Sequence, residues 1–364
     1  MDLHQKYGLT PIINAWGKAT PYGVSRLPLE VSEAMATAGL DFFSITQLQD
    51  LAGKLIGAWS GAESGCVVNC TAAAITIAAA ACLCGEDMEN VAGMPNFYEE
   101  RCFVIQAGHC VNYGHPIIQA LRLTGARLEV IGNDQQTNRE QLENALQEHR
   151  VAAVVAVESH LTRGQNIPLA DLISISHIHE VPVLVDGAAQ DLRLNQLIET
   201  GADVVMVSAQ KYLRGPTAGI MAGKRSLIRA ARLQEKGIGR GMKTSKEALL
   251  GVCAAIELRM NQNHEAWVEA RQNRNRLFVE QLADQEGVTI IEIPDPNGNP
   301  FSRLALEPAV MPAKTLYDAL AEQGIIAAPH RLTQNQILWE LVEIDPEEIE
   351  RITLTIKAIL SNLN

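Results

Sequence analysis

The sequence predicts an α/β fold: a largely parallel sheet with helices on both faces, followed by a smaller α+β C-terminal region. Three observations carry this. Short β-branched runs alternate with helical stretches at a spacing of roughly 30 residues, the signature of repeated βαβ units. The runs at 154–157 and 204–207 are apolar without alternation, as strands covered on both faces require. Beyond Gly223 that alternation stops, and a long helical region leads into strands flanking a turn-rich segment.

The elements follow in order. The run TAAAITIAAAACLC at 71–84 reads as a buried helix of small residues. Strands are expected at 103–106, 128–131, 152–158, 181–186, 203–208 and 218–223, with helices near 114–123, 138–148, 168–179 and 190–200. From about Lys246 to Gln285 there is no Pro and a single Gly, at 251, which predicts one bridging helix. Strands at 288–293 and 302–307 flank the turn-rich PDPNGNP, and helices are expected near 312–323 and 346–362. The domain reading is an N-terminal arm at 1–45 that completes the small domain and the active site, a large cofactor domain at 46–250, and the bridging helix with a small α+β domain at 251–364.

Composition excludes several function classes. The 364 residues are 47% hydrophobic and 20% charged, enough for a large core and unlike a disordered chain. Lys+Arg 30 against Asp+Glu 42 gives −12, which opposes broad attraction to nucleic acid or anionic membrane. Any anionic ligand then needs a local positive cluster. The longest apolar run has 14 residues, short of the roughly 18–20 a membrane span needs. The N-terminus MDLHQKYGLTPIINAWG lacks the apolar stretch of an export signal, so the cytoplasm is expected. Seven cysteines without C-x-x-C spacing read as reduced, mostly buried small residues.

Three features fall at carboxyl ends of strands, where open α/β sheets bind their ligands. Asp186 closes VPVLVD and is followed by the small Gly187, Ala188 and Ala189. Lys211 lies just past DVVMVS. Thr71 opens the Ala-rich helix, whose free N–H groups suit an anion. Taken singly, these are a turn residue, a solvated charge and an ordinary helix cap. Together, a lysine able to bond an aldehyde, a carboxylate able to keep a pyridine nitrogen protonated and an anion-holding helix start are the three parts of a pyridoxal-phosphate site. Arg240 and Lys243 in GIGRGMK form the best local positive cluster. Decoys are set aside: AGIMAGKR at 218–225 lacks the first Gly and the Ser/Thr of a P-loop, GIGRG lacks GxGxxG spacing, and His177 and His179, two apart on a helix, face different ways and make a poor metal pair. No metal site is expected.

The stretches GLTPIINAWGKATPYGVS (8–25), VVNCTAAAITIAAAAC (67–82), QAGHCVNYGHP (106–116), VPVLVDGAAQDL (181–192), GADVVMVSAQKYLRGPTAG (201–219) and GIGRGMKTSKEALLG (237–251) resemble the selenocysteine-synthase-like branch of fold-type-I pyridoxal-phosphate enzymes. Within it they are most similar to the D-glucosaminate-6-phosphate ammonia-lyase family, over about residues 5–260. The resemblance implies a mainly parallel, seven-stranded sheet and pyridoxal 5'-phosphate as cofactor. It implies that Lys211 bonds the cofactor, Asp186 partners its ring nitrogen and His109 borders the ring as a third catalytic residue. Thr71, Ala72, Ala73 and Ser208 would hold the cofactor phosphate. Gly215, Pro216 and Thr217 would serve the phosphate of a neighbouring subunit, which implies a homodimer or higher assembly with shared active sites. Asn14, Lys18, Arg214, Arg240 and Lys243 are the implied substrate-binding residues.

The implied reaction removes the Cα proton of a hydroxylated amino acid, expels the β-hydroxyl and releases a 2-oxo acid and ammonia, with D-glucosaminate 6-phosphate the best substrate. A racemase or aminotransferase on the same cofactor is the enzymatic alternative. A tRNA-dependent selenium transferase is disfavoured by the net charge and by the lack of a Lys/Arg-rich arm. Several positions depart from the family pattern: Trp16 and Pro21-Tyr22 intrude near the N-terminus, Ala189 stands where cysteine desulfurases have Gln, and Arg214 replaces an acid before Gly215.

Overall fold

The structure is a computed structural model describing residues 2–96 and 101–361. Its strands are, in chain order, β1 (Ile13–Ala15), β2 (Ser64–Val68), β3 (Cys102–Gln106), β4 (Arg127–Ile131), β5 (Val151–Val157), β6 (Val183–Asp186), β7 (Val204–Ser208), β8 (Gly219–Gly223), β9 (Val288–Pro294), β10 (Ser302–Pro308), β11 (Ile325–Ala327) and β12 (Ile337–Trp339). The chain divides into two compact units, residues 27–261, and residues 1–26 with 262–364.

In the 27–261 unit a seven-stranded sheet has the order β2-β8-β7-β6-β5-β3-β4. Strands β3 to β7 pair in parallel, while β8 runs antiparallel to both β7 and β2. The sheet is the expected mainly parallel one of seven strands. The exception is β8, because the short 209–218 loop returns the chain directly instead of through a crossover helix. Burial of every residue in β3, β6, β7 and β8 follows from covering both faces. The helix Thr71–Cys84 is buried at all but two positions, Ala72 and Cys82, and its alanines let the backbone pack closely against its neighbours. All seven cysteines are free thiols, four of them buried.

The edge of this sheet opposite the ligand ends is closed by Asp203. It is buried, and its carboxylate accepts from Val183 N (2.7 Å), meets His177 Nε2 (2.8 Å) and pairs with Lys224 Nζ (2.5 Å). His177 is therefore part of a structural ion cluster. No helix among the described residues is long and apolar enough to cross a membrane.

The bridging region is two helices, Lys246–Asn261 and His264–Gln281, rather than one. Asn263 caps the second, its side chain accepting from Ala266 N at 3.0 Å, and the division between units falls at this break. In the second unit β10 lies between β9 and β12, antiparallel to both, and β1 pairs in parallel with β11. Phe278 and Trp339, 5.3 Å apart, centre its core with Leu316 and Ile352. The last helix runs Pro346–Ser361, residue 362 of the expected span lying outside the described residues.

Candidate active site

Parallel strands β3, β5, β6 and β7 end at one edge of the sheet, and the expected site residues of the 27–261 unit follow those ends. Asp186 is the last residue of β6 and pairs in register with Val157, the last residue of β5. It is 4% exposed, and its Oδ1 accepts from Ala188 N at 3.1 Å. Burial pushes its carboxyl from 3.8 up to about 6, partly opposed by the Lys211 charge and the Ala188 N–H. A carboxylate whose charged form burial disfavours is a seat for a further positive partner.

His109 sits in the turn after β3, 6% exposed, with Nδ1 accepting from Val157 N at 3.0 Å. That bond fixes the imidazole above the end of β5, next to the strand that ends in Asp186. The turn is held closely: a Cβ at Gly108 would come within 2.1 Å of the Arg163 carbonyl, and Arg163 N donates to Gly108 O. Burial lowers the His109 pKa to about 4, so the ring is neutral at physiological pH.

Lys211 lies in the loop after β7. Its neighbour Tyr212 is 1% exposed, Arg259 Nη2 donates to the Tyr212 carbonyl at 2.5 Å, and Gly215 N returns to Ala209 O at 2.8 Å. The lysine thus stands on a loop pinned on both sides, close enough to Asp186 for its charge to act on that carboxyl. Arg214 occupies the left-handed region at φ 59° and donates its N–H back to Lys211 O. Gly215 and Pro216 are buried and Thr217 is exposed.

At the other end of the site, Thr71 Oγ1 and Ser208 Oγ lie 2.6 Å apart, both buried. Cys70, the N-cap of helix Thr71–Cys84, supplies no side-chain cap, which leaves the N–H groups of Thr71, Ala72 and Ala73 for a ligand. Gly219, opposite Ser208 in the β7–β8 ladder, makes this approach possible, since a Cβ there would sit 2.4 Å from the Cys70 carbonyl oxygen. Two hydroxyls and an uncapped helix start form a phosphate cradle. Together with the aldehyde-reactive lysine and the buried Asp186, these residues fit pyridoxal phosphate.

The remaining expected residues are placed differently. Asn69 N donates to Met242 O at 3.0 Å, which brings the exposed Lys243 beside the phosphate cradle. Arg240 lines a surface groove with Thr46, Glu86, Arg229 and Arg232, to which Lys211, Asp186 and His109 do not belong. Asn14 and Lys18 belong to the other unit. There Asn14 closes its own turn, accepting from Trp16 N and donating to Gly17 O, and Lys18 pairs with Glu343 at 2.9 Å. Sequence reasoning gave Tyr113 no role, although it lies in the quoted AGHCVNYGHP stretch. Burial and the nearby Asp186 and Cys70 charges raise its pKa, which puts its ring at this site.

A model of the L-seryl-tRNA selenium transferase family, SelA, matches residues 45–270, which contain every one of these site residues except Asn14 and Lys18. The chain belongs to that family. SelA relatives include D-glucosaminate-6-phosphate ammonia lyase of Salmonella typhimurium (strain 14028s / SGSC 2262), 34% identical over 257 residues, or 70% of this chain and 69% of that protein. A second relative, 5'-C-glycyluridine monooxygenase-decarboxylase of Streptomyces sp, is 35% identical over 257 residues, and the match spans 64% of its length. A solved structure of D-glucosaminate-6-phosphate ammonia-lyase superposes with TM-score 0.91 and 28% identity, covering 100% of this chain and 99% of that one. The fold of this SelA-family chain is the fold type I of pyridoxal-phosphate enzymes.

Proposed function

We propose that this protein is a pyridoxal-phosphate-dependent ammonia-lyase that converts D-glucosaminate 6-phosphate to 2-dehydro-3-deoxy-gluconate 6-phosphate and ammonia. The observation that carries the reading is the full-length superposition at TM-score 0.91 on a lyase of that name. Lys211, Asp186, His109 and the Thr71–Ser208 cradle standing at one sheet edge support it. The cofactor, when bound, withdraws electrons from the substrate's Cα, so that the proton there becomes acidic.

The chain's own residues supply the rest. Asp186 keeps a ring nitrogen protonated, because burial makes its negative charge costly and a positive ring nitrogen beside it offsets that cost. The Lys211 amine, at the strand ends beside Asp186, would take the proton from the substrate's Cα and pass it to the departing β-hydroxyl. The uncapped helix start, Thr71 and Ser208 hold the cofactor phosphate. Lys243 is the nearest exposed cation for the substrate's own phosphate.

We read the protein as a cytoplasmic homodimer or larger assembly whose 215–217 turn serves a neighbouring site. Its free thiols support a reducing compartment. Leu29, Leu40 and Phe42, at 68%, 87% and full exposure, support an apolar contact face within the 27–261 unit. The monooxygenase-decarboxylase relative, at 35% identity against 34%, favours a second reading in which oxygen is consumed and carbon dioxide released. Incubation with D-glucosaminate 6-phosphate separates the two: ammonia and a 2-oxo acid without oxygen uptake support the lyase, and oxygen uptake with carbon dioxide release from a glycyl nucleoside supports the alternative.

A further inference from the structure

We infer that His109 is a fixed hydrogen-bond donor at Nε2, aimed at an oxygen of the bound ligand, and takes no part in moving protons. The inference rests on the pyridoxal-phosphate reading of the site but concerns one atom of it. Val157 N–H donates to Nδ1 at 3.0 Å, and a ring nitrogen that accepts a hydrogen bond carries no proton, so the neutral imidazole bears its proton on Nε2. Val157 cannot offer a different arrangement, because its N–H is a main-chain donor at the last residue of β5, held in register with Asp186 by the β5–β6 ladder.

The ring is 6% exposed, and its recorded contact to the protein is the one at Nδ1. The proton on Nε2 is then the ring's remaining donor, available to a ligand oxygen at the strand ends. Protonating the ring would require Nδ1 to become a donor facing the Val157 N–H, two donors in opposition. Burial acts in the same direction. His109 is thereby excluded as the base at Cα and as the acid toward the leaving oxygen, which leaves Lys211 as the proton carrier. What His109 supplies is a neutral donor to a negatively polarised oxygen on the cofactor or substrate.

The test is ¹⁵N-resolved NMR of histidine-labelled protein without cofactor, with His109→Asn identifying the resonance. Asn keeps an acceptor, Oδ1, for the Val157 N–H, and His109→Gln serves the same assignment if that variant does not fold. The expected result is an Nε2–H pattern that does not titrate between pH 6 and 9, and an Nε2 proton that moves downfield when pyridoxal phosphate and a substrate analogue are added. An Nδ1–H pattern, a titration in that range, or no change on loading with both would overturn the inference. In the loaded enzyme His109→Asn is expected to lower turnover by about 10²-fold, as loss of one oriented donor does, without moving the limbs of the pH profile. A shifted limb would return His109 to proton transfer. These readouts fail independently of the substrate assignment, since the tautomer is measured without any turnover.

Discussion

Asp186→Asn is expected to stabilise the cofactor-free protein while disabling it. In the folded chain the carboxyl titrates at about 6 against 3.8 unperturbed, with burial the main cause. Between those values the folded state keeps a proton the unfolded chain has lost, so stability falls as pH rises through this window. Above it the cost is borne in full, and the difference corresponds to about 3 kcal/mol. Replacing the carboxylate by a neutral amide removes most of that cost. The assay is urea or thermal unfolding of cofactor-free wild type and variant from pH 4 to 8. The variant should be more stable by up to about 3 kcal/mol at pH 7.5, roughly 4 °C in midpoint for a chain of this length, with the gap closing toward pH 4. Equal stability at pH 7.5, or a gap that does not shrink as pH falls, would refute the reasoning. Loaded with cofactor, the same variant should lose most of its turnover, because an amide cannot hold the ring nitrogen protonated.

Further outcomes follow from the same geometry. Lys211→Ala should abolish borohydride-fixed cofactor, and peptide mapping of wild type should find the label on Lys211 alone. Thr71→Ala and Ser208→Ala should each weaken cofactor binding by about 1 kcal/mol, roughly fivefold in Kd by equilibrium dialysis, and the double variant should cost less than the sum because the hydroxyls share one hydrogen bond. Gly219→Ala puts a methyl 2.4 Å from the Cys70 carbonyl oxygen, so it should both lower the unfolding midpoint and raise the cofactor Kd.

The sheet was legible because its strands are apolar on both faces: VVAV at 154–157 and VVMV at 204–207 admit few other readings. The same pattern says nothing of strand direction, so the reversal at β8 appeared only in the structure. β2, SGCVV, has two small residues at its start and offers little periodicity, and the pairing of β1 with β11 joins residues more than 300 apart. The helix break at Asn263 was readable in principle, since Asn before a helical run is a cap signal. At the site, Lys211, Asp186 and Thr71 were visible because each directly follows or closes a recognisable element. The partner of His109 was not, because it is a main-chain N–H, and Tyr113 was not, because a phenol in a loop carries no spacing signal. Arg240 was marked by charge clustering in the sequence, and the structure places it on a groove with Thr46, Glu86 and Arg232, a setting that charge clustering does not reveal.

The central claim is tested most directly by turnover of D-glucosaminate 6-phosphate in deuterium oxide. The expected result is one equivalent of ammonia and a 2-oxo-3-deoxy product carrying deuterium at C3, where the eliminated intermediate is protonated, with no activity in Lys211→Ala. Deuterium at Cα of recovered substrate without ammonia, or amino transfer to an added oxo acid, would contradict elimination and make the protein a racemase or an aminotransferase.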